Sequence, residues 1–180
     1  MQVFRHHEIK KIAEYVKQGG IIVYPTDTVW GIGCHALDQS AVRKVIAMKG
    51  KPADAKLIWL LPSVRAVELH CGQISAEERR LLLQKRTTVI IHGQAVRVVR
   101  SGWLNRLLSA CHVPLVGTSA NLHGQPVITT WRQGVMLFAD QNVAVVRGRK
   151  IYRQKPSSLV QIEKPAQIKI LRDGSGISMK

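Results

Sequence analysis

Carboxylates are scarce in this chain: 11 Asp plus Glu face 27 Lys plus Arg in 180 residues, a formal charge of +16. A surface so biased draws polyanions through a salt-dependent force that does not read sequence, so contact with nucleotides or RNA is expected. Long apolar runs are missing too. None approaches the ~18 residues that span a bilayer, and MQVFRHHEIKK lacks the apolar stretch of an export signal. Membrane insertion and export are excluded on that reading, and the cytoplasm is the expected compartment. Cysteine is limited to Cys34, Cys71 and Cys111, odd in number and never in CxxC form, which excludes a disulfide framework or a thiolate zinc site. No metal site is expected from the protein, because neighbouring Cys and His residues on a strand point to opposite faces.

Several nucleotide and hydrolase signatures are absent as well. No GxxxxGK[ST] occurs and no GxGxxG follows a strand, so neither a P-loop nor a dinucleotide turn is expected. A serine-hydrolase elbow would need GxSxG, but Asn121 stands where the last glycine lets the turn pack. Internal repeats and low-complexity linkers are also lacking. With 46% hydrophobic residues, the chain reads as a single domain over 1–180 with a core that needs no staple.

What is present alternates between helix and strand periods. Ile9, Ile12, Ala13 and Val16 recur at helical spacing before Gly19-Gly20, and IIVYP then reads as a strand. Asp38 or Ser40 caps a second helix ending near Lys49, and LIWLLP reads as a buried strand. Ser75 with Glu78 forms a capping-box signal for a helix through Gln84. TTVIIHG and AVRVV flank a turn at His92-Gly93-Gln94 and predict a hairpin. SGWLNRLLSACH and TTWRQGVMLFA are helical in pattern; VPLVG, VAVV, SSLVQI and IKILR are strand-like. The expected class is mixed α/β.

Polar residues crowd the strand ends. YPTDTVWGIGC (24–34) places two threonines and an aspartate before two glycines, and GTSANLHGQP (117–126) packs Thr118, Ser119 and Asn121 into four residues. Each is either a self-bonded turn or a seat for a polar ligand. Lys49-Gly50-Lys51 offers two ammonium groups around a flexible glycine, as phosphate ligands or as caps of a helix end. The basic runs 79–86 and 147–155 are dense enough to predict a cationic patch.

In this order YPTDTVWGIGC, KGKP, AVRV, TSANLHGQP, PSSLV and ILRDG resemble the YrdC/Sua5 family over about residues 8–175. The resemblance implies a twisted mixed α/β sheet with flanking helices around a large basic cavity. It also implies L-threonylcarbamoyladenylate synthase activity: L-threonine, bicarbonate or CO2, and ATP become threonylcarbamoyl-AMP and diphosphate, for t6A modification of adenosine 37 in ANN-decoding tRNAs. By the same resemblance Thr28, Arg97 and Thr118 contact the amino acid. Lys49, Lys51, Ser119 and Asn121 surround the ATP phosphates and the carbamate, and Ser157 and Arg172 contact the nucleotide. ATP is then a substrate that carries Mg²⁺. Other t6A-pathway proteins and tRNA or double-stranded RNA are the expected partners, and a non-catalytic RNA-binding module of the same fold is the alternative.

Four departures from the family pattern are visible. Lys51 replaces an arginine, exchanging a planar fork for a point charge. Residues 83–88 (LQKRTT) retain only Thr88 of a WPGPxT segment, and Val99 stands where the family has a proline after the VRV triplet. Trp30 replaces a smaller aromatic and is expected to remain a planar wall of the cavity.

Overall fold

Strand β1 (Gln2–Phe4) precedes helix α1 (Ile9–Lys17), and Ile12, Ala13 and Val16 form the buried stripe of that helix, as its spacing requires. Strands β2 (Ile21–Tyr24) and β3 (Gly31–Gly33) flank the threonine-rich turn. Helix α2 (Gln39–Met48) opens on Asp38, whose carboxylate accepts from the amides of Ser40 and Ala41 at 2.9 and 3.0 Å, and Lys49 is its C-cap. Then come β4 (Ile58–Leu61), α3 (Val64–Cys71) and α4 (Ala76–Leu82), the last with the expected Ser75–Glu78 capping box. The hairpin β5 (Thr87–Ile91) and β6 (Gln94–Val98) turns at His92 and Gly93, both at positive φ (47° and 79°), as a tight hairpin demands. Helix α5 (Gly102–Cys111), strand β7 (Leu115–Ser119), helix α6 (Trp131–Leu137) and strands β8 (Val143–Val146), β9 (Ser158–Glu163) and β10 (Gln167–Arg172) complete the chain. This computed structural model describes residues 1–100, 102–151, 155–163, 167–174 and 176.

Among the described residues one mixed sheet runs β1-β8-β2-β3-β7-β4-β6-β5-β9-β10. Pairs β1/β8, β2/β8, β4/β6 and β5/β9 are parallel, and β2/β3, β3/β7, β4/β7, β5/β6 and β9/β10 are antiparallel. Central strands are buried on both faces, so their continuous apolar runs divide by period two. Ile21 and Val23 pack with α2 and α6 residues on one face; Ile22 and Tyr24 pack with α1 and α5 on the other. A third cluster joins Leu61, Val89, Val96 and Val160 to Val67 of α3 and Leu81 and Leu82 of α4. The result is a single-domain α/β fold with flanking helices, as expected. No helix among the described residues is long and apolar enough to cross a membrane.

Three elements exceed the expectations. β3 has two glycines in three residues and acquires strand geometry only because β2 and β7 pair with its two edges. β1 is short and joins the edge of the sheet beside β8. α3 buries only Val67 fully, too little apolar stripe to signal a helix, although Ser63 caps it by accepting from Ala66 N at 3.1 Å. α4 closes at Leu82 with Leu83 as its cap, two residues before Gln84. Cys34 and Cys111 are buried, and burial pushes both thiols up to about 12. Cys71 is half-buried against the third cluster.

The cationic patch expected at 79–86 is partly neutralised. Arg79 pairs with Glu68 of α3, and Arg80 pairs with Glu77 one turn earlier. In the second run Arg147 lies over the indole of Trp131, 5.0 Å from its centroid, and Arg132 of α6 lies over the same ring at 4.7 Å. Residues 152–154 of that run lie outside the described residues.

Candidate active site

The turn after β2 is held by its own hydroxyls. Thr26 Oγ1 donates to Val29 O at 2.6 Å and accepts from Thr28 N at 3.0 Å, with Thr28 Oγ1 also 3.0 Å away. Thr26 therefore shapes the turn. Asp27, in the same turn, reaches Arg97 of β6, whose Nη2 donates to its carboxylate. Arg97 Nη1 lies 3.4 Å from Thr28 Oγ1, and its Nε is buried without a partner. An arginine only 6% exposed thus has one carboxylate, one long hydroxyl contact and one unsatisfied donor.

Beneath that turn, Tyr24 is fully buried and its hydroxyl donates to Val116 O at 3.1 Å; burial raises its pKa. The same carbonyl lies 1.7 Å from where a Cβ on Gly33 would stand, so only glycine lets β3 approach β7 this closely.

Lys49 leaves the end of α2 and crosses to the loop after β7. Its ammonium donates to Ser119 O at 2.8 Å, to Asn121 O at 2.7 Å and to Asn121 Oδ1, which uses all three of its N–H groups. Asn121 Oδ1 also accepts from Ser119 Oγ at 2.7 Å, while its Nδ2 donates to Leu122 O and Gln125 O at 3.0 and 2.7 Å. This network makes asparagine specific at position 121, since aspartate would lack the donors and glycine the whole side chain. Burial, then the like charge of Lys51, lowers the Lys49 pKa to about 8. Gly50 between them adopts φ 56°, with His123 Cβ only 3.1 Å from where its own Cβ would stand.

On the far side, Ser157 Oγ bonds Thr88 Oγ1 at 2.8 Å, so the one threonine retained in the 83–88 segment is an anchor. Arg172 Nε donates to Ser157 O at 3.0 Å and Nη2 to Ser157 Oγ at 3.3 Å. Burial, then the Arg97 charge, lowers the Arg172 pKa. All three missing prolines have local reasons: Gln84 N donates to Leu81 O at 3.0 Å, a bond proline cannot make. Arg86 adopts φ 56°, closed to proline, and Val99 N donates to Leu61 O at 2.9 Å, a bond proline cannot make.

These groups converge on one cavity of about 490 Å³. Thr28, Lys49, Lys51, Arg97 and Thr118 line it, and so do Ser119, Asn121, Ser157 and Arg172. Lys56, His123 and Tyr24 also line it and were missed, though Lys56 follows KGKP closely and His123 stands inside TSANLHG. Trp30 does not line it. Its ring is fully buried in the core with Ile21, Val23 and Ile32, and its indole N–H donates to Thr129 O at 3.0 Å. The expectation of a planar cavity wall is corrected: burying the large ring won over facing the ligand space. Among the described residues the lining holds Lys49, Lys51, Lys56, Arg97 and Arg172 but no carboxylate. No group of three or more His, Cys, Asp or Glu gathers to hold a metal ion among them.

A cavity of this charge, built from these strand-end motifs, can be set beside known proteins. The sequence model of the Sua5/YciO/YrdC domain, described as "Telomere recombination", matches residues 14–174. The chain belongs to the Sua5/YciO/YrdC family. A relative named threonylcarbamoyl-AMP synthase, from Chromobacterium violaceum, is 30% identical over 171 residues, covering 86% of this chain and 88% of its own. Among solved structures, Sua5 of P. abyssi complexed with L-threonine superposes with a TM-score of 0.83 at 25% identity over 96% of this chain, which spans 57% of that protein. E. coli YciO matches in fold, with a TM-score of 0.85 at 20% identity, covering 98% of this chain and 97% of its own. In this Sua5/YciO/YrdC chain the motif residues therefore occupy one cavity wall after another, although they are spread across the sequence from Thr28 to Arg172.

Proposed function

We propose that this chain, acting as a single YrdC-like domain over 1–180, is an L-threonylcarbamoyladenylate synthase. The carrying observation is that all nine motif residues line one cavity whose charged groups, among the described residues, are cations alone. The threonine amine adds to CO2 and releases a proton. A carbamate oxygen then attacks the α-phosphorus of ATP, the bond to the β-phosphate oxygen breaks, and diphosphate leaves. Two anions must meet in that step, so the site's task is to cancel repulsion and hold an in-line geometry, with no covalent nucleophile required.

In this reading Arg97 takes the threonine carboxylate in a bidentate pair, satisfying its orphaned Nε, with Thr28 and Thr118 beside it. Lys49 fixes the Ser119–Asn121 loop and contributes positive charge where the carbamate meets the phosphorus. Ser157 and Arg172 hold the nucleotide, and Mg²⁺ enters with ATP. The product serves t6A modification of tRNA in the cytoplasm, through contact with tRNA and with other proteins of that modification; the +16 charge supports such a contact.

Incubation with ATP, Mg²⁺, bicarbonate and labelled threonine is expected to yield threonylcarbamoyl-AMP with threonine-dependent diphosphate release. Absence of that release would overturn the reading. Salt-dependent RNA binding without turnover would instead favour a non-catalytic module.

A further inference from the structure

Among the described residues five cations line the cavity, but they are not equally free to receive a phosphate. Lys49 has spent its three donors on Ser119 O, Asn121 O and Asn121 Oδ1. Arg97 is paired with Asp27 and, in the proposed reaction, is taken by the amino acid. Arg172 is tied to Ser157 through Nε and Nη2. Lys51 is exposed and has no side-chain partner among the described residues. Lys56 is exposed as well and spends one donor, on Gly93 O of the β5–β6 turn at 3.1 Å, leaving two N–H groups unspent.

We infer that Lys56 is a positioning residue for the polyphosphate, acting with Lys51 on the β- and γ-phosphates of ATP and on the departing diphosphate. This inference rests on the synthase reading and adds a residue to it. One ammonium is a point charge that meets one phosphate oxygen well, whereas a guanidinium fork meets two. With lysine at position 51, a second ammonium is needed to match two separate oxygens, and among the described residues Lys56 is the other lining ammonium with donors to spare. The bond to Gly93 O tethers it to a rigid hairpin, so less side-chain freedom is lost on binding.

The test uses the full chain and two variants, Lys56→Gln and Lys56→Arg, titrated calorimetrically with inorganic pyrophosphate and separately with L-threonine. Glutamine keeps a donor for Gly93 O but removes the charge; arginine keeps both. Lys56→Gln is expected to weaken pyrophosphate binding about tenfold, with threonine affinity and melting temperature unchanged and with Lys56→Arg close to the parent. Parental pyrophosphate affinity in Lys56→Gln overturns the inference. So does an equal loss of pyrophosphate and threonine binding with a lowered melting temperature, which would make Lys56 a loop clasp only. Charge-dependent pyrophosphate binding in a chain that makes no threonylcarbamoyl-AMP upholds the diphosphate role and overturns the synthase reading alone.

Discussion

Asp27 and Arg97, 70 residues apart in sequence, form an ion pair that holds a cavity-lining guanidinium, with the arginine side chain 7% and the aspartate side chain 47% exposed. The guanidinium that should receive a substrate carboxylate already carries one from the protein. A buried arginine without a partner is costly, so the pair gives the guanidinium a counter-charge within the protein.

Asp27→Asn should therefore tighten L-threonine binding, because a neutral amide competes less well for the guanidinium than a carboxylate does. A roughly threefold or larger gain is expected in calorimetry, with some loss of stability from the weaker partner. Weaker threonine binding would show instead that Asp27 aims Arg97 rather than competing for it.

The depressed Lys49 pKa fixes a pH dependence. If the protonated ammonium supports transfer, its contribution is complete well below pH 8 and disappears as pH rises through about 8. A kcat/KM profile that stays flat to pH 10 would remove Lys49 from the chemistry. Stability should move the opposite way. The unfolded chain, with an ordinary pKa of 10.5, binds more protons between about 8 and 10.5 than the folded chain does, so this residue's burial penalty shrinks as pH rises across that window. Lys49→Met should flatten that rise in denaturant titrations.

Trp30→Phe separates packing from ligand contact. Losing part of a fully buried ring and its bond to Thr129 O should cost about 1–3 kcal/mol in chemical denaturation. The threonine and ATP KM values should hold in the variant that remains folded. A large KM change with little loss of stability would return Trp30 to the cavity wall.

Gly33→Ala tests the close approach of β3 to β7. The added Cβ would collide with the Val116 carbonyl, a backbone atom that cannot swing away, so the strands must part. A loss of about 3 kcal/mol or failure to fold is expected, in line with or above ordinary overpacking. An alanine variant with the parent's melting temperature would show that the two strands separate freely.

Much of the site was legible because its residue types are set locally. Thr28 closes a turn, Asn121 sits in a self-bonded loop, and Lys49 and Gly50 end a helix; each leaves a mark in its own neighbourhood. β3 was not legible, since its pairing belongs to β2 and β7 and its Gly33 reflects a close approach to Val116. Lys56 and His123 were missed for a related reason: exposed or loop residues near a motif look alike until the walls around them are placed.

The sequence alone determined the alternation of helix and strand, the Ser75 cap, the order of polar strand ends and the excess of positive charge. Those follow from backbone preferences and side-chain chemistry acting over a few residues. Only the tertiary structure decided that Trp30 faces the core, that Asp27 holds Arg97, and that Lys49 has spent its three donors while Lys56 keeps two. Donors and acceptors separated by 70 residues or more meet only when the sheet order is set, and which charges remain for a ligand is what those meetings leave over.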